Sequence, residues 1–211
     1  MADAVDEGID SPAPVHIVDD DPAIRDALAW LFLSRRVPTR QWPSGEAFLA
    51  AWTPEMPGCI LLDIRMHGMS GLEVFDRLIE LGAVQPVVFL SGHGDLPLAV
   101  EALKRGAADF IEKPFNDNDL VDRVLVAQRE AAAQRLAQRR RADLERRRAA
   151  LSAREREVMQ HVLEGKLNKQ IAEDLGVSMR TVEVHRARIL EKMGVRNVVE
   201  LARLLGPDSG P

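Results

Sequence analysis

Residues 59–63 read Cys59-Ile60-Leu61-Leu62-Asp63, four apolar residues closed by a carboxylate. A short run that is apolar at every position is what a strand covered on both faces requires. The design recurs along the chain. Val15-His16-Ile17-Val18 runs into Asp19-Asp20-Asp21, Val87-Val88-Phe89-Leu90 into Ser91, and Phe110-Ile111 into Glu112-Lys113-Pro114. Thr39-Arg40-Gln41-Trp42 is a fifth, weaker run. Between these runs the apolar spacing predicts helices near 22–36, 44–52, 70–81 and 95–105, and another beginning near Asn116. Strands alternating with helices predict an α/β fold, a doubly wound parallel sheet with right-handed crossovers.

In such a sheet functional groups gather at the carboxyl edge of the strands. The residues that follow the runs are Asp19 and Asp20, Asp63, Ser91 and Lys113. Crowded carboxylates call for a cation, and Mg²⁺ (or Mn²⁺) is a hard ion that takes oxygen ligands. A carboxylate can also act as a nucleophile and form an aspartyl-phosphate. The metal and Lys113 would then neutralise charge on the transferring phosphoryl group, and Ser91 would donate to one of its oxygens. Singly, each Asp after a strand reads equally well as a turn or helix cap. Five residues in order at one rim, three carboxylates, a hydroxyl and an ammonium, read as a phosphoacceptor site with Asp63 as the acceptor.

The segments VHIVDDDPAIRDAL (15–28), CILLDIRMHGMSGLEVF (59–75) and VVFLSGHGDLPLAVEALKRGAADFIEKPF (87–115) resemble a response-regulator receiver domain, in particular the FixJ-type branch. The resemblance covers nearly all of residues 14–127. It implies the flavodoxin-like five-stranded sheet with strand order 2-1-3-4-5 and phosphorylation of Asp63 by a histidine kinase. It implies metal binding by Asp19, Asp20, Asp63 and the backbone carbonyl of Arg65. Ser91 and Lys113 would contact the phosphoryl group, Phe110 would be the switch aromatic, and Lys113-Pro114 a cis peptide. His67 stands where the family usually has proline. Val100 and Lys104, on the fourth helix, are candidates for the contact of a phosphorylation-dependent homodimer. A phosphohydrolase with an acid pair is disfavoured, because Arg65 occupies the place of the second acid. A phosphorylation-independent DNA-binding protein, with this fold as a dimer module, is the other alternative.

Charge separates the chain into two parts. Residues 1–127 carry 10 Lys and Arg against 21 Asp and Glu, whereas residues 128–211 carry 18 against 12. An acidic part joined to a basic part points to partners of opposite charge, a metal cation for one and nucleic acid for the other. The lone Cys59 offers no internal disulfide or multi-cysteine zinc site. The opening residues lack an apolar core for a secretory signal, and no stretch approaches the roughly 18 apolar residues of a membrane span. The expectation is a cytoplasmic protein without a membrane partner. Residues 1–13 read as a disordered acidic tail and 207–211 as a short tail. Trp30, Trp42 and Trp52 read as packing residues.

From Val121 to Ala150 there is no Gly or Pro, and eight arginines fall between Arg129 and Arg148. This predicts one long helix leaving the first domain, with residues 128–150 as a linker. It either pairs with a second copy or stays a solvated charged helix. Residues 151–206 predict a small all-α unit of three or four helices. Ser152 and Glu155 form a capping box, Asn168 and Ser178 cap the next two helices, and Gly165, Gly176 and Gly194 end them. LSAREREV, NKQIAEDLGVS and TVEVHRARILEKMGV resemble the LuxR-type four-helix DNA-binding domain. At about 100° per residue, Val182, Ile189 and Met193 share an inward face. Arg180, Glu183, Val184, Ala187, Arg188 and Glu191 share the opposite one, the face a recognition helix lays in the major groove of double-stranded DNA. Lys169, Thr181, His185 and Lys192 lie at its flanks and suit phosphate contact.

Overall fold

The computed structural model describes residues 13–92 and 96–206, the side chain of Leu96 apart. The acidic tail before Ala13, the loop residues 93–95 and the tail after Gly206 lie outside the described residues. The element order is β1 (Val15–Val18), α1 (Pro22–Ser34), β2 (Thr39–Trp42), α2 (Gly45–Ala51), β3 (Cys59–Asp63), α3 (Gly71–Glu80), β4 (Val87–Ser91), α4 (Leu96–Lys104), β5 (Asp109–Glu112) and α5 (Asp117–Ala149). Then come α6 (Ala153–Leu163), α7 (Asn168–Leu175), α8 (Met179–Met193) and α9 (Val198–Leu205). The five strands form one parallel sheet in the order β2-β1-β3-β4-β5.

β3 lies at the centre of the sheet, and all five of its residues are buried. Its side chains alternate between two cores, as strand geometry demands. Leu61 joins Ile17, Leu90 and Ile111 on the face covered by Leu28 and Phe32 of α1 and Leu120, Val121 and Val124 of α5. Ile60 and Leu62 join Val18 and Phe89 on the other face, against Phe48 of α2, Val74, Phe75 and Leu78 of α3, and Ala102 of α4. Phe75 meets Phe89 edge-on with ring centroids 5.4 Å apart, a contact worth about 1 kcal/mol beyond area burial. Two-sided cover is therefore what made these strands read as unbroken apolar runs. Trp42 and Trp52 pack against the second core. Trp30 does not pack: it is 73% exposed, because the buried stripe of α1 runs through Leu28 and Phe32 and Trp30 falls outside it.

β1 has β2 on one side and β3 on the other, so the chain reverses direction across the sheet between them. That switch point opens a crevice at the carboxyl ends of β1 and β3. Gly71, the first residue of α3, lies so close to this crevice that a Cβ there would sit 2.1 Å from the Asp63 carbonyl oxygen. Only glycine lets α3 start against the backbone of the central strand.

α5 is one helix of 33 residues. Its buried residues are Leu120, Val121, Val124 and Ala127. Two compact units, Met1–Ala133 and Gln134–Pro211, divide within it. The expected linker is therefore the continuation of α5. Its far end is built into the second unit: Leu144 packs on that unit's core, and Arg147 Nη1 donates to the Met193 carbonyl at 2.8 Å.

In the second unit α6, α7, α8 and α9 enclose Val158, Ile171, Val182, Ile189, Met193 and Leu201. Ser152 and Glu155 form the expected capping box, and Ser178 caps α8 by accepting from Thr181 N at 3.1 Å. Gly176, in the left-handed region at φ 63°, ends α7 as an αL cap should. Asn168 does not cap α7. It is the first helical residue, the cap position belongs to Leu167, and Gln170 Oε1 accepts from the Leu167 N–H at 2.8 Å.

Candidate phosphoacceptor site and DNA-binding face

Parallel pairing places the chain ends of the strands at one rim: Val18 lies beside Leu62, Asp63 beside Leu90, and Ser91 beside Glu112. The side chains that follow converge there. Lys113 Nζ donates to Asp63 Oδ1 at 2.6 Å and to Asp19 Oδ2 at 3.2 Å. Both carboxylates are almost wholly buried, with Asp19 2% and Asp63 7% exposed. The Lys113–Pro114 peptide is cis. Asp19 is further fixed through its Oδ1, which accepts from Asp21 N at 2.9 Å, and through its carbonyl, which accepts from Arg25 Nη1 at 2.7 Å. The other oxygen of Asp63, Oδ2, accepts from Arg65 N at 2.8 Å.

Burial raises the pKa of Asp63 against the pull of the Lys113 ammonium. Burial alone would lower Lys113, but Asp63 and Asp19 outweigh it and hold its pKa above the ordinary value. The site is thus a protonated lysine between two desolvated carboxylates. Burial makes the Asp63 carboxylate more basic and more nucleophilic than an exposed one.

Ser91 ends β4, and its hydroxyl is enclosed without a hydrogen-bond partner among the described residues. A buried hydroxyl without a partner costs about 1–3 kcal/mol. Its place beside the end of β3 offers a donor to a group attached at Asp63.

The three consecutive aspartates have three different roles. Asp21 caps α1 by accepting from Ala23 N at 2.8 Å. Asp19 belongs to the Lys113 pair. Asp20 turns to the loop after β3, where its Oδ2 accepts from His67 N at 2.9 Å and pairs with the His67 imidazole Nδ1. Those two bonds, the backbone one first, hold the Asp20 carboxyl below its ordinary pKa. Among the described residues no three acidic, His or Cys side chains stand grouped as a metal ion would need. The donor chemistry nevertheless fits Mg²⁺. Asp19, Asp20 and Asp63 supply hard oxygen atoms, and two of them lie buried about a single cation. His67 is the partner that sequence reading missed, since nothing in residue spacing links position 67 to position 20.

Phe110 lies in β5, half-buried against the second core. Arg123 grips the strand beside it, with Nε and Nη2 each 2.6 Å from an Asp109 carboxylate oxygen and Nη2 2.9 Å from the Phe110 carbonyl. On α4, Val100 is 46% exposed and Lys104 is exposed.

α8 presents the two faces that periodicity predicts. Val182, Ile189 and Met193 are buried. Arg180, Glu183, Val184, Ala187, Arg188 and Glu191 are all exposed, as is Lys169 on α7. Two flank residues are otherwise engaged. Thr181 is half-buried, its hydroxyl 2.8 Å from Ser178 Oγ. Lys192 donates to Glu155 Oε2 at 2.7 Å and to the Ala150 carbonyl at 3.1 Å, and so ties α8 to α6. His185 is half-buried with Nδ1 enclosed.

Comparison with known proteins agrees with this architecture. Residues 15–125 match the response regulator receiver domain family, and residues 149–205 match the bacterial regulatory proteins of the luxR family. The chain is 54% identical over 199 residues to the C4-dicarboxylate transport transcriptional regulatory protein DctR of Rhodobacter capsulatus, covering 90% of this chain and 98% of that one. It is 46% identical over 191 residues to the transcriptional regulatory protein FixJ of Azorhizobium caulinodans, covering 90% of each. Among solved structures, the response regulator StyR superposes with a TM-score of 0.82 at 37% identity, over 92% of this chain and 98% of that one. Full-length FixJ from B. japonicum superposes with a TM-score of 0.61 at 38% identity, over 92% and 96%. The chain therefore belongs to the two-component response regulators that join a receiver domain to a LuxR-type DNA-binding domain.

Proposed function

We propose that Asp63 accepts a phosphoryl group from the phosphohistidine of a sensor kinase, and that its phosphorylation controls binding of the second unit to promoter DNA. The observation that carries this is the rim itself: a buried Asp63 bonded to Lys113 at 2.6 Å, beside a buried Ser91 hydroxyl without a partner among the described residues. An Asp63 carboxylate oxygen attacks phosphorus, the nitrogen–phosphorus bond to the donor breaks, and the leaving imidazole takes up a proton. Asp19, Asp20 and Asp63, with the Arg65 carbonyl, would hold Mg²⁺, which supplies positive charge to the phosphoryl oxygens. Lys113 keeps its proton and transfers its bonds from the carboxylates to the phosphoryl group. Ser91 gains an acceptor that no described residue gives it.

Movement of Lys113 and Ser91 toward the phosphoryl group opens space beside Phe110, and the α4–β5 face changes with it. Val100 and Lys104 on that face would meet a second copy, giving a dimer suited to two half-sites on double-stranded DNA. Arg180, Glu183, Val184, Ala187 and Arg188 would face base edges, while Lys169 would reach phosphates. A DNA partner places this work in the cytoplasm.

The test is to treat wild type and Asp63→Asn with Mg²⁺ and acetyl phosphate, following intact mass and solution size. Wild type should gain one phosphoryl group and dimerise, and the variant should do neither. An acid-labile phosphoryl group on Asp63→Asn would assign the acceptor elsewhere.

A further inference from the structure

We propose that His67 is a latch on the metal site: it holds the Asp20 carboxylate by its Oδ2 to the loop after β3, and a divalent cation that binds through that oxygen must displace His67. This rests on the reading of Asp20 as a metal ligand given above.

Four observations carry the inference. Asp20 and Asp19 are adjacent in sequence but differently engaged, Asp19 to Lys113 and Asp20 to the β3–α3 loop. One oxygen, Asp20 Oδ2, takes both bonds from His67, one from the backbone N–H at 2.9 Å and one from the ring. The His67 side chain is otherwise wholly solvent-exposed, so packing does not explain where it lies. The contact spans 47 positions and joins the end of β1 to the loop that follows the phosphoacceptor.

The competition follows from donor and acceptor counting. With both His67 bonds on Oδ2, a cation that takes that oxygen must displace them, whereas the carboxylate's other oxygen keeps lone pairs of its own. Binding of Mg²⁺ through Asp20 Oδ2 therefore includes the cost of releasing His67. The contact is at the surface, so that cost is small, of the order of a surface charge pair. His67→Ala removes the ring and keeps the N–H. His67→Pro removes both donors, since proline has no N–H. The affinity for Mg²⁺ should rise in that order, by about two- to fivefold for each donor removed.

The experiment is a titration of the full-length, unphosphorylated chain with MgCl₂, read by amide chemical shifts around residues 19–21 and 63–67. Wild type, His67→Ala, His67→Pro, Asp20→Asn and Asp63→Asn are compared, with thermal melts confirming that each folds. In wild type the His67 ring resonances should also move as Mg²⁺ saturates. Tighter binding in His67→Ala, and tighter still in His67→Pro, supports the latch. Equal affinity in wild type and both His67 variants overturns it. Weaker binding in His67→Ala overturns it in the other direction, making the imidazole a ligand. Binding unaltered in both Asp20→Asn and Asp63→Asn would instead overturn the metal-site reading on which the latch rests.

Discussion

Glu155 links the stability of the DNA-binding unit to pH. It is 3% exposed, and its Oε2 accepts from Lys192 Nζ at 2.7 Å and from Ser152 N at 2.8 Å. These bonds, Lys192 first, bring its carboxyl down from 4.5 to about 2. A carboxyl whose pKa falls on folding adds stability above its unfolded pKa and loses it as pH drops toward the folded one. The shift is equivalent to about 3.4 kcal/mol at most. Lys192 is 37% exposed, so solvent screening leaves about 2 kcal/mol. Glu155→Gln keeps the shape and removes the charge. Near neutral pH it should destabilise the second unit by about that amount, and by about pH 3 more than half of the difference should have gone. The two units can be followed separately in the intact chain. Trp30, Trp42 and Trp52 all lie in the first unit and there is no tyrosine. In a urea titration, tryptophan fluorescence reports the receiver, while far-ultraviolet circular dichroism also reports the helices of the second unit. The dichroism transition should move in the variant and the fluorescence transition should stay. A deficit of equal size at both pH values, or a shift in fluorescence, would refute the reasoning.

Two further outcomes concern the rim. Lys113→Met leaves Asp19 and Asp63 buried without their cation, and should destabilise the receiver by about 2–4 kcal/mol in fluorescence-detected urea unfolding. Millimolar Mg²⁺ should restore part of that loss. Ser91→Ala removes a hydroxyl that has no partner among the described residues, so the unphosphorylated protein should melt at the same temperature or slightly higher, a gain of up to about 1 kcal/mol. Its response to acetyl phosphate, read as the fraction of dimer, should nevertheless fall.

What the sequence made legible is what local physics encodes. The apolar runs gave the strands, because burial on both sides of a sheet disfavours polar positions, the hydrogen-bonded His16 of β1 being the exception. The rim residues followed, since they come next after the runs. The two faces of α8 followed from helical period alone. The start of α7 was misread by one residue, because Leu167 takes the cap position and Gln170 reaches back to accept from its N–H, so no polar side chain marks the boundary. Trp30 was misread because a large aromatic says nothing about which face of α1 it occupies. The ionic partners were illegible for a different reason. Asp20 with His67, Glu155 with Lys192 and Lys113 with two aspartates join positions 37 to 94 residues apart, and only the closed fold brings them within reach.

Those long-range partners also bound how strong a switch the receiver can be. To move a two-state equilibrium from 1:99 to 99:1 takes about 5.5 kcal/mol of differential stabilisation. On the proposed reading, phosphorylation of Asp63 offers two new interactions that the resting site lacks. Ser91 gains a charged acceptor, and Lys113 exchanges two carboxylates for a phosphoryl group. A hydrogen bond to a charged group is worth about 1.5–3 kcal/mol net. The gain at Lys113 is smaller than a full bond, because its resting bonds at 2.6 and 3.2 Å are broken. The sum therefore falls at or below the threshold. It reaches a clean switch only if Ser91 contributes near the top of its range or the dimer interface adds to it. Ser91→Ala removes the term that has no resting cost to offset it. That variant should consequently accept phosphate and still fail to convert most of its molecules to dimer.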